Sequence, residues 1–302
     1  MRLSELTDRD LKERATRGLT ISTPPFVVRL QTPLKPLQQS MRTNYGVYDI
    51  LDDDVVPDFL IRISGTGGLH RFVHKQCMAY IDIATPFVPL PQSKAPLMFE
   101  QAMNWTIGMR VATHMLFHAA IVEKDDRAVI ILGKSGQGKS TLCASLVASG
   151  WRYFSDEVAM LDIQTGLAQP YPRPVSLKNE SVAAMKAYAP EWPISKTYTG
   201  TPKGNIAYML PRREHIEAAM TPAKPVGILT PHFVPGAEPL LEKVAQSTAF
   251  LQMLTGSINY GGFGEEGFTF LSELTNRIPA VTARYGDIEA GVRLVEDFMG
   301  SP

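Results

Sequence analysis

The fold of this chain is decided by the segment Ala128-Val-Ile-Ile-Leu132-Gly133-Lys-Ser-Gly-Gln-Gly-Lys-Ser140. It opens with a continuous apolar run that is typical of a buried strand. The residues from Gly133 to Ser140 then match the pattern G-x-x-x-x-G-K-[S/T] at every position, and a helical run follows from Lys139 to Ser149. A strand, a glycine-rich loop and a helix in this order predict a P-loop, in which backbone N–H groups and a helix N-terminus face the phosphates of a nucleotide.

The residues of this loop have separate predicted roles. Gly136 and Gly138 allow the backbone to turn inward around the phosphates. We expect the Lys139 ammonium to reach the β- and γ-phosphates and the Ser140 hydroxyl to ligate Mg²⁺. The implied cofactors are Mg²⁺ and ATP, with GTP as the other nucleotide to consider. The predicted cofactor-binding residues are Gly133, Ser135, Gly136, Gln137, Gly138, Lys139, Ser140 and Thr141.

Two adjacent carboxylates, Asp156 and Glu157, follow the P-loop helix almost directly. Gly150 is a helix stop, and Trp151-Arg-Tyr-Phe154 predicts a strand that leads into the pair. This arrangement places the carboxylates beside the γ-phosphate. There, one can take a proton from an acceptor hydroxyl while the other helps to hold Mg²⁺. A solvated acidic turn is the alternative interpretation.

These motifs resemble the catalytic domain of the HPr serine kinase/phosphorylase family, and more closely the HPr-kinase-related kinases associated with peptide modification. In that family a histidine, a strand pair, G-x-S-G-x-G-K-S and a helix-Gly-x-x-apolar-x-D-D segment follow one another. The corresponding features here are His118, the 133–140 loop and Gly150-Trp-Arg-Tyr-Phe-Ser-Asp156-Glu157, within a resemblance that covers roughly residues 97–180. The resemblance implies an α/β P-loop fold that is shared with ATP-dependent phosphoenolpyruvate carboxykinase.

The resemblance also implies roles for individual residues. Asp156 matches the carboxylate that acts as general base toward a substrate serine, and His118 matches its neighbour. With Lys139 they form the predicted catalytic set. Glu157 stands where the family has a second Asp, and we expect it at the metal together with Ser140.

The first 92 residues differ in character from the rest of the chain. After a short helical lead, the segments 26–30, 59–64 and 77–82 predict strands, and the proline-containing stretch 86–96 predicts a linker. We therefore predict a smaller β-rich α+β domain at residues 1–92, followed by a P-loop kinase domain of the HPr kinase/phosphoenolpyruvate carboxykinase type at residues 93–302.

The segment between Pro170 and Pro239 contains twelve of the 23 prolines. This density predicts loops rather than a regular sheet interior or long helices. Loops on a rigid scaffold are common places for gripping a substrate. Arg173, Lys178 and Lys203 are therefore the candidate residues for binding the acceptor, with plain surface charges as the alternative.

Two other patterns predict helices. Helical spacing relates a set of residues that indicates one buried face: Met98, Ala102, Trp105, Met109 and Ala112. The segment 241–254 also has helical character. Before the P-loop strand, residues 117–123 predict a single strand.

Composition limits the classes of function. The 30 basic and 30 acidic residues give no net charge, which argues against a nucleic-acid binder. The two cysteines, Cys77 and Cys143, indicate reduced thiols, and no apolar run is long enough to span a membrane, so we expect a cytoplasmic protein with no membrane partner.

The leading hypothesis is a kinase that transfers the γ-phosphate to a serine of a peptide or small protein. A small-molecule kinase or carboxykinase-like enzyme of the same fold is the second hypothesis, and a nucleotide-binding switch without net transfer is the third. The family resemblance also implies a homo-oligomer.

Overall fold

The computed structural model describes residues 1–67, 73–134 and 136–300. Within these residues the chain forms two compact units. The first consists of Met1–Arg110 with Arg212–Ile216, and the second of Val111–Pro211 with Glu217–Pro302. Among the described helices, none is long and apolar enough to cross a membrane.

The first unit contains a five-stranded sheet and helices. The strands lie across the sheet in chain order, with β2 and β3 parallel and the other neighbours antiparallel. The predicted strands at 26–30, 59–64 and 77–82 are confirmed as β2, β3 and β4. The elements are α1 (Asp8–Arg17), β1 (Leu19–Thr23), β2 (Phe26–Gln31), α2 (Lys35–Asn44), β3 (Phe59–Gly65), β4 (Gln76–Ile81), β5 (Leu90–Pro91) and α3 (Ala95–Arg110).

Helix α3 belongs to this first unit because it packs against β3 and β4. The predicted boundary at residues 92–93 therefore falls inside the unit, before α3 begins. Met98 and Ala102 are buried as expected and Trp105 is half-buried, but Met109 and Ala112 are exposed. The expectation for Met109 was wrong because the buried side of the helix continues through Met103 and Ile107 instead.

The second unit is built on a six-stranded sheet and two three-stranded sheets. Its strands are β6 (His114–Phe117), β7 (Ala120–Lys124), β8 (Arg127–Ile131), β9 (Arg152–Ser155), β10 (Ala159–Asp162), β11 (Ala168–Gln169), β12 (Val175–Lys178), β13 (Tyr198–Thr201), β14 (Gly204–Met209), β15 (Lys224–Phe233), β16 (Leu240–Lys243) and β17 (Ala280–Tyr285). The helices after α3 are α4 (Lys139–Ala148), α5 (Glu180–Tyr188), α6 (Arg213–Glu217), α7 (Gln246–Gly256), α8 (Gly264–Arg277) and α9 (Ile288–Gly300).

The large sheet has the order β16-β17-β15-β8-β7-β9. Strands β17, β15 and β8 run parallel to one another, whereas β7, β9 and β16 pair antiparallel. The carboxyl ends of the three parallel strands therefore meet at one edge. In open α/β sheets that edge is the usual place for a ligand.

Both faces of this sheet are buried, as the continuous apolar sequence of β8 predicted. Val129 and Ile131 face a core that includes residues of α4, α5 and α9, whereas Ala128 and Ile130 face a core that includes residues of α7 and α8. Strand β8 is thus packed between two helical layers, and this packing fixes the position of the loop that follows the strand.

Three expectations about regular structure were wrong. The predicted strand at 117–123 is divided into β6 and β7, which belong to different sheets. The first residues of the predicted helix at 241–254 form β16, and α7 begins only at Gln246.

The third error concerns the proline-rich segment, for which loops rather than a regular sheet interior were predicted. Strand β15 of this segment contains Pro225 and Pro231 and is nevertheless an interior strand of the large sheet. The pairing register with β8 shifts between Pro225 and Gly227, and pairing with β8 ends at Leu229, before Pro231. Each proline thus stands where the ladder to β8 is already interrupted.

Candidate functional site

The 133–140 loop connects the end of β8 to the start of α4, as predicted. Gly136 and Gly138 adopt left-handed backbone conformations, with φ of 91° and 92°. The Lys134 N–H donates a hydrogen bond of 2.6 Å to the Gln137 side-chain oxygen, which tightens the turn. Ser135 lies outside the described residues. Gly136 and Gly138 therefore adopt the backbone that was predicted for them, and the N-terminus of α4 follows directly.

A cavity of about 650 Å³ opens beside this loop, within the second unit. Its walls come from the loop, the start of α4, the segment around β12 and α5, and the ends of β15 and β17. The predicted residues Gly133, Gln137, Asp156 and Arg173 do not line it. The predicted residues that do are His118, Gly136, Gly138, Lys139, Ser140, Thr141, Glu157, Lys178 and Lys203.

Lys139 is the first residue of α4, and its side chain is buried. Its Nζ donates a hydrogen bond of 3.3 Å to the backbone oxygen of His118. Burial lowers the pKa of the ammonium, and the nearby carboxylates of Asp156 and Glu157 oppose that effect. The buried cation is thus bonded to the His118 backbone and interacts with the charges of Asp156, the predicted general base, and Glu157, the predicted metal ligand.

Asp156 lies immediately after β9, with only 3% of its surface exposed. The Ser176 N–H donates a hydrogen bond of 3.1 Å to its Oδ2. Among the described residues, Oδ1 has no partner at regular hydrogen-bond geometry. Burial raises the pKa of this carboxyl; Lys139 lowers it, Glu157 raises it further and the Ser140 side chain lowers it. One oxygen is therefore fixed, while the other is unpaired in a buried site near Ser140 and Lys139.

Glu157 has a different setting although it is the next residue. It lines the cavity, 24% of its side chain is exposed, and its Oε1 lies 3.4 Å from the Nζ of Lys178. Burial alone would raise the pKa of this carboxyl. The charges of Lys178, Arg173, Lys203 and His118 outweigh burial, so that its pKa is lowered. The three candidate acceptor-binding residues thus act together on Glu157.

His118 follows β6, at the break before β7, and it also lines the cavity. Its pKa is lowered by partial burial and by the Lys139 ammonium, whereas the Glu157 carboxylate and backbone oxygen raise it. The groups that most affect the pKa of Asp156 do not include His118. His118 and Glu157 thus act on each other's pKa, and the role of His118 as a neighbour of Asp156 stays a prediction.

Several cavity residues were missed by the sequence analysis. Ser176 orients Asp156 through its backbone N–H, and Ser181 accepts a hydrogen bond of 2.8 Å from the Thr141 hydroxyl. Phe233 and Tyr285 end the parallel strands β15 and β17 beside the loop. The only available sequence signal for the aromatic pair was an aromatic residue at the end of each apolar run.

The protein groups at the cavity fit a nucleotide-bound Mg²⁺ rather than a metal held by protein alone. Among the described residues there is no group of three or more His, Cys, Asp or Glu side chains that could hold a metal ion. Mg²⁺ is usually bound by one or two protein ligands together with phosphate oxygens and water. The Ser140 hydroxyl and the Glu157 carboxylate, which both line the cavity, are suitable donors of that kind.

Comparisons with known proteins gave only distant similarity. No protein-family model matches the chain, and no curated protein matches it. Among solved structures, the HPr(Ser) kinase/phosphatase from Coxiella burnetii matches with 14% sequence identity and a TM-score of 0.31, over 61% of this chain and 88% of that chain. The similarity is distant, so the functional argument rests on the residues of this chain.

Proposed function

We propose that this chain is a Mg²⁺- and nucleotide-dependent kinase that transfers the γ-phosphate to a serine hydroxyl of a peptide or small protein. The single observation that carries the proposal is that Lys139 and Ser140 line the cavity beside the loop while both act on the pKa of the buried Asp156 carboxyl, whose Oδ1 is unpaired. A buried cation, a hydroxyl and a buried carboxylate oxygen are the groups needed where a γ-phosphate meets an acceptor.

The phosphate-binding part of the proposal uses the loop and Lys139. Backbone N–H groups of the loop and the N-terminus of α4 would face the phosphates of ATP or GTP. Lys139 would balance the charge of the β- and γ-phosphates from a position where water is largely excluded. Bound Mg²⁺ would neutralise charge on the transferred group, with Ser140 and one of the two carboxylates as its protein contacts.

The carboxylate pair would supply the proton acceptor. We assign that role to Asp156, because its Oδ2 is fixed by the Ser176 N–H while its Oδ1 is unpaired. Burial raises the pKa of this carboxyl, which makes it a better proton acceptor than an exposed aspartate. Glu157 would then contact the metal with Ser140, as the sequence predicted.

The acceptor would bind on the side of the cavity that Lys178 and Lys203 line. The charges of these two cations and of the buried Arg173 all lower the pKa of Glu157, which supports a shared role for them. A cationic wall favours an acceptor segment that carries negative charge. A homo-oligomer and a cytoplasmic location remain part of the proposal.

A nucleotide-binding switch without transfer is the second candidate function. It is favoured by the same loop and Lys139, because a switch needs the phosphate site but no proton acceptor. The two functions differ in what Asp156 does.

The experiment that separates them uses γ-labelled ATP, Mg²⁺ and a library of serine-containing peptides. The kinase proposal predicts label on the peptides with wild type and none with Lys139→Ala, whose melting temperature should also rise much less on addition of Mg-ATP. Nucleotide binding without label on any acceptor would overturn the kinase proposal in favour of the switch. Equal stabilisation of wild type and Lys139→Ala would overturn the phosphate site itself.

A further inference from the structure

Two aromatic residues, Phe233 and Tyr285, form one wall of the cavity, and the proposed function gives them no role. Phe233 is the last residue of β15 and Tyr285 the last residue of β17, and the two are paired in the parallel register. Their ring centroids are 5.9 Å apart, with the ring planes inclined at 58°. Tyr285 is buried, whereas 44% of Phe233 is exposed. The pair therefore presents one accessible aromatic ring that is supported by a buried one.

This pair stands directly against the phosphate-binding loop. A Cβ atom at Gly138 would lie 3.3 Å from the Tyr285 hydroxyl oxygen and 3.4 Å from the Phe233 Cβ. Anything held by its phosphates at this loop thus has an aromatic surface immediately beside it. The carboxyl ends of parallel strands are also where α/β sheets commonly hold nucleotides.

The other walls of the cavity are less suited to a flat ring. On the α5 side, the Thr141 hydroxyl donates to the Ser181 hydroxyl at 2.8 Å, which joins α4 to α5. On the carboxylate side, Glu157 and Lys178 form an ion pair. Among the described residues that line the cavity, Phe233 is the one aromatic ring of substantial exposure.

We propose that Phe233, supported by Tyr285, is the surface on which the base of the bound nucleotide stacks. This inference rests on the proposed nucleotide-binding function and adds the location of its base subsite. Stacking uses the π-face that all bases share, so an aromatic ring contributes affinity without selecting one base. The subsite should therefore accept both ATP and GTP.

The test compares nucleotides with inorganic tripolyphosphate, which has the phosphates but no base. Affinities of Mg-ATP, Mg-GTP and Mg-tripolyphosphate are measured by titration calorimetry for wild type, Phe233→Ala and Phe233→Trp. Phe233→Ala should weaken both nucleotides by about 5-fold to about 150-fold, which is the range that the loss of one base–aromatic stack produces. Its affinity for tripolyphosphate should be unchanged, and Phe233→Trp should bind nucleotide at least as well as wild type.

Phe268→Ala is the matched control. Phe268 is also an exposed member of an aromatic pair, with Phe250 at a centroid distance of 5.4 Å and 53% of its surface exposed, but it does not line the cavity. Its replacement should leave all three affinities unchanged. Circular dichroism and the melting temperature of each variant check that the fold is retained.

The outcomes separate this inference from the proposed function. If wild type binds tripolyphosphate as tightly as ATP, or if Phe233→Ala binds ATP like wild type, the base subsite is overturned and the phosphate site stands. If Phe233→Ala weakens tripolyphosphate as much as ATP, Phe233 acts by supporting the loop, and the stacking role is overturned. If wild type binds neither ligand, the proposed function fails and the subsite with it.

Discussion

Asp156 and Glu157 are neighbours in the chain, yet the fold shifts the pKa values of their carboxyl groups in opposite directions. Burial dominates at Asp156 and raises the pKa of its side chain. At Glu157, three nearby cations and His118 outweigh burial and lower the pKa. A raised carboxyl pKa means that the charged form costs folding free energy, and a lowered pKa means that the charged form contributes it.

The opposite shifts predict opposite effects on the stability of the nucleotide-free protein at neutral pH. Asp156→Asn should raise the melting temperature, because it removes a charge that is costly to bury while retaining an acceptor for the Ser176 N–H. Glu157→Gln should lower it, because it leaves Lys178 without its partner. Thermal unfolding followed by circular dichroism, with wild type in parallel, measures both.

The pH dependence has a definite sign for each variant. The destabilising contribution of Asp156 is absent below the ordinary aspartate pKa of about 4 and sets in as the pH rises toward its raised folded value, so the gain from Asp156→Asn should fade in acid. The stabilising contribution of Glu157 is present above the ordinary glutamate pKa and is lost as the pH falls through its lowered folded value. Effects of the same sign for both variants at neutral pH would contradict this assignment.

Lys203 offers the cleanest test of the acceptor wall, because its side chain is exposed and it lines the cavity. Lys203→Ala should slow phosphate transfer to an acidic serine peptide through a higher KM, and leave nucleotide affinity unchanged. Lys186→Ala is the matched control, since Lys186 is an exposed lysine of α5 outside the cavity. Equal transfer kinetics for both variants and wild type would show that Lys203 is an ordinary surface charge.

At the scale of elements, the turn between β8 and α4 sets the geometry of the proposed phosphate site. Gly136 and Gly138 share a left-handed conformation but differ in their surroundings. A Cβ at Gly136 would meet no atom within 4 Å, whereas one at Gly138 would approach both Tyr285 and Phe233. A substitution at Gly136 therefore tests backbone strain alone, whereas one at Gly138 tests backbone strain together with steric crowding.

Alanine substitution at each glycine should reveal this difference. Gly136→Ala should lower the free energy of unfolding by about 1–2 kcal/mol, the cost of a left-handed non-glycine residue. Gly138→Ala should cost more, because the aromatic pair must also shift. Urea denaturation measures both, and equal losses would contradict the close packing of the loop on Phe233 and Tyr285.

The elements that sequence reasoning predicted correctly are those with local signals. An apolar run, glycine spacing and a helical pattern predicted strand β8, the loop and α4. A clear helix stop likewise predicted β9, the strand that leads to Asp156 and Glu157. Strand β15 was missed because proline content outweighed its apolar residues. In the fold, the prolines stand at a register shift and beyond the last pair with β8, where a missing N–H costs little.

The aromatic wall of the cavity was missed for a non-local reason. Phe233 and Tyr285 are far apart in sequence, and only the parallel register of β15 with β17 brings them together. The same holds for the Ser176 N–H at Asp156, which depends on where β12 begins. Long-range pairing of this kind leaves no periodic pattern in a single sequence.

At the scale of the whole molecule, the proposed site belongs to the second unit alone. Every residue that lines the cavity falls within Val111–Pro211 or Glu217–Pro302. The short segment between these two ranges, Arg212–Ile216, belongs to the first unit. There, a guanidinium nitrogen of Arg213 lies 2.8 Å from Oδ2 of Asp49. The proposed phosphate site and the carboxylates thus lie in one folded unit, whose chain is interrupted by a short segment of the other unit.

The central claim of this account is that the unit transfers phosphate and that Asp156 takes part in the transfer. The most direct measurement is single-turnover transfer from Mg-γ-labelled ATP to a seryl peptide by wild type and Asp156→Asn, with nucleotide affinity and Mg²⁺ dependence determined in parallel. The account predicts a rate loss of about 10²- to 10⁴-fold at nearly unchanged nucleotide affinity, the usual contribution of a proton acceptor. Recovery of the rate by excess Mg²⁺ would instead assign Asp156 to the metal, and transfer at the wild-type rate would contradict the claim.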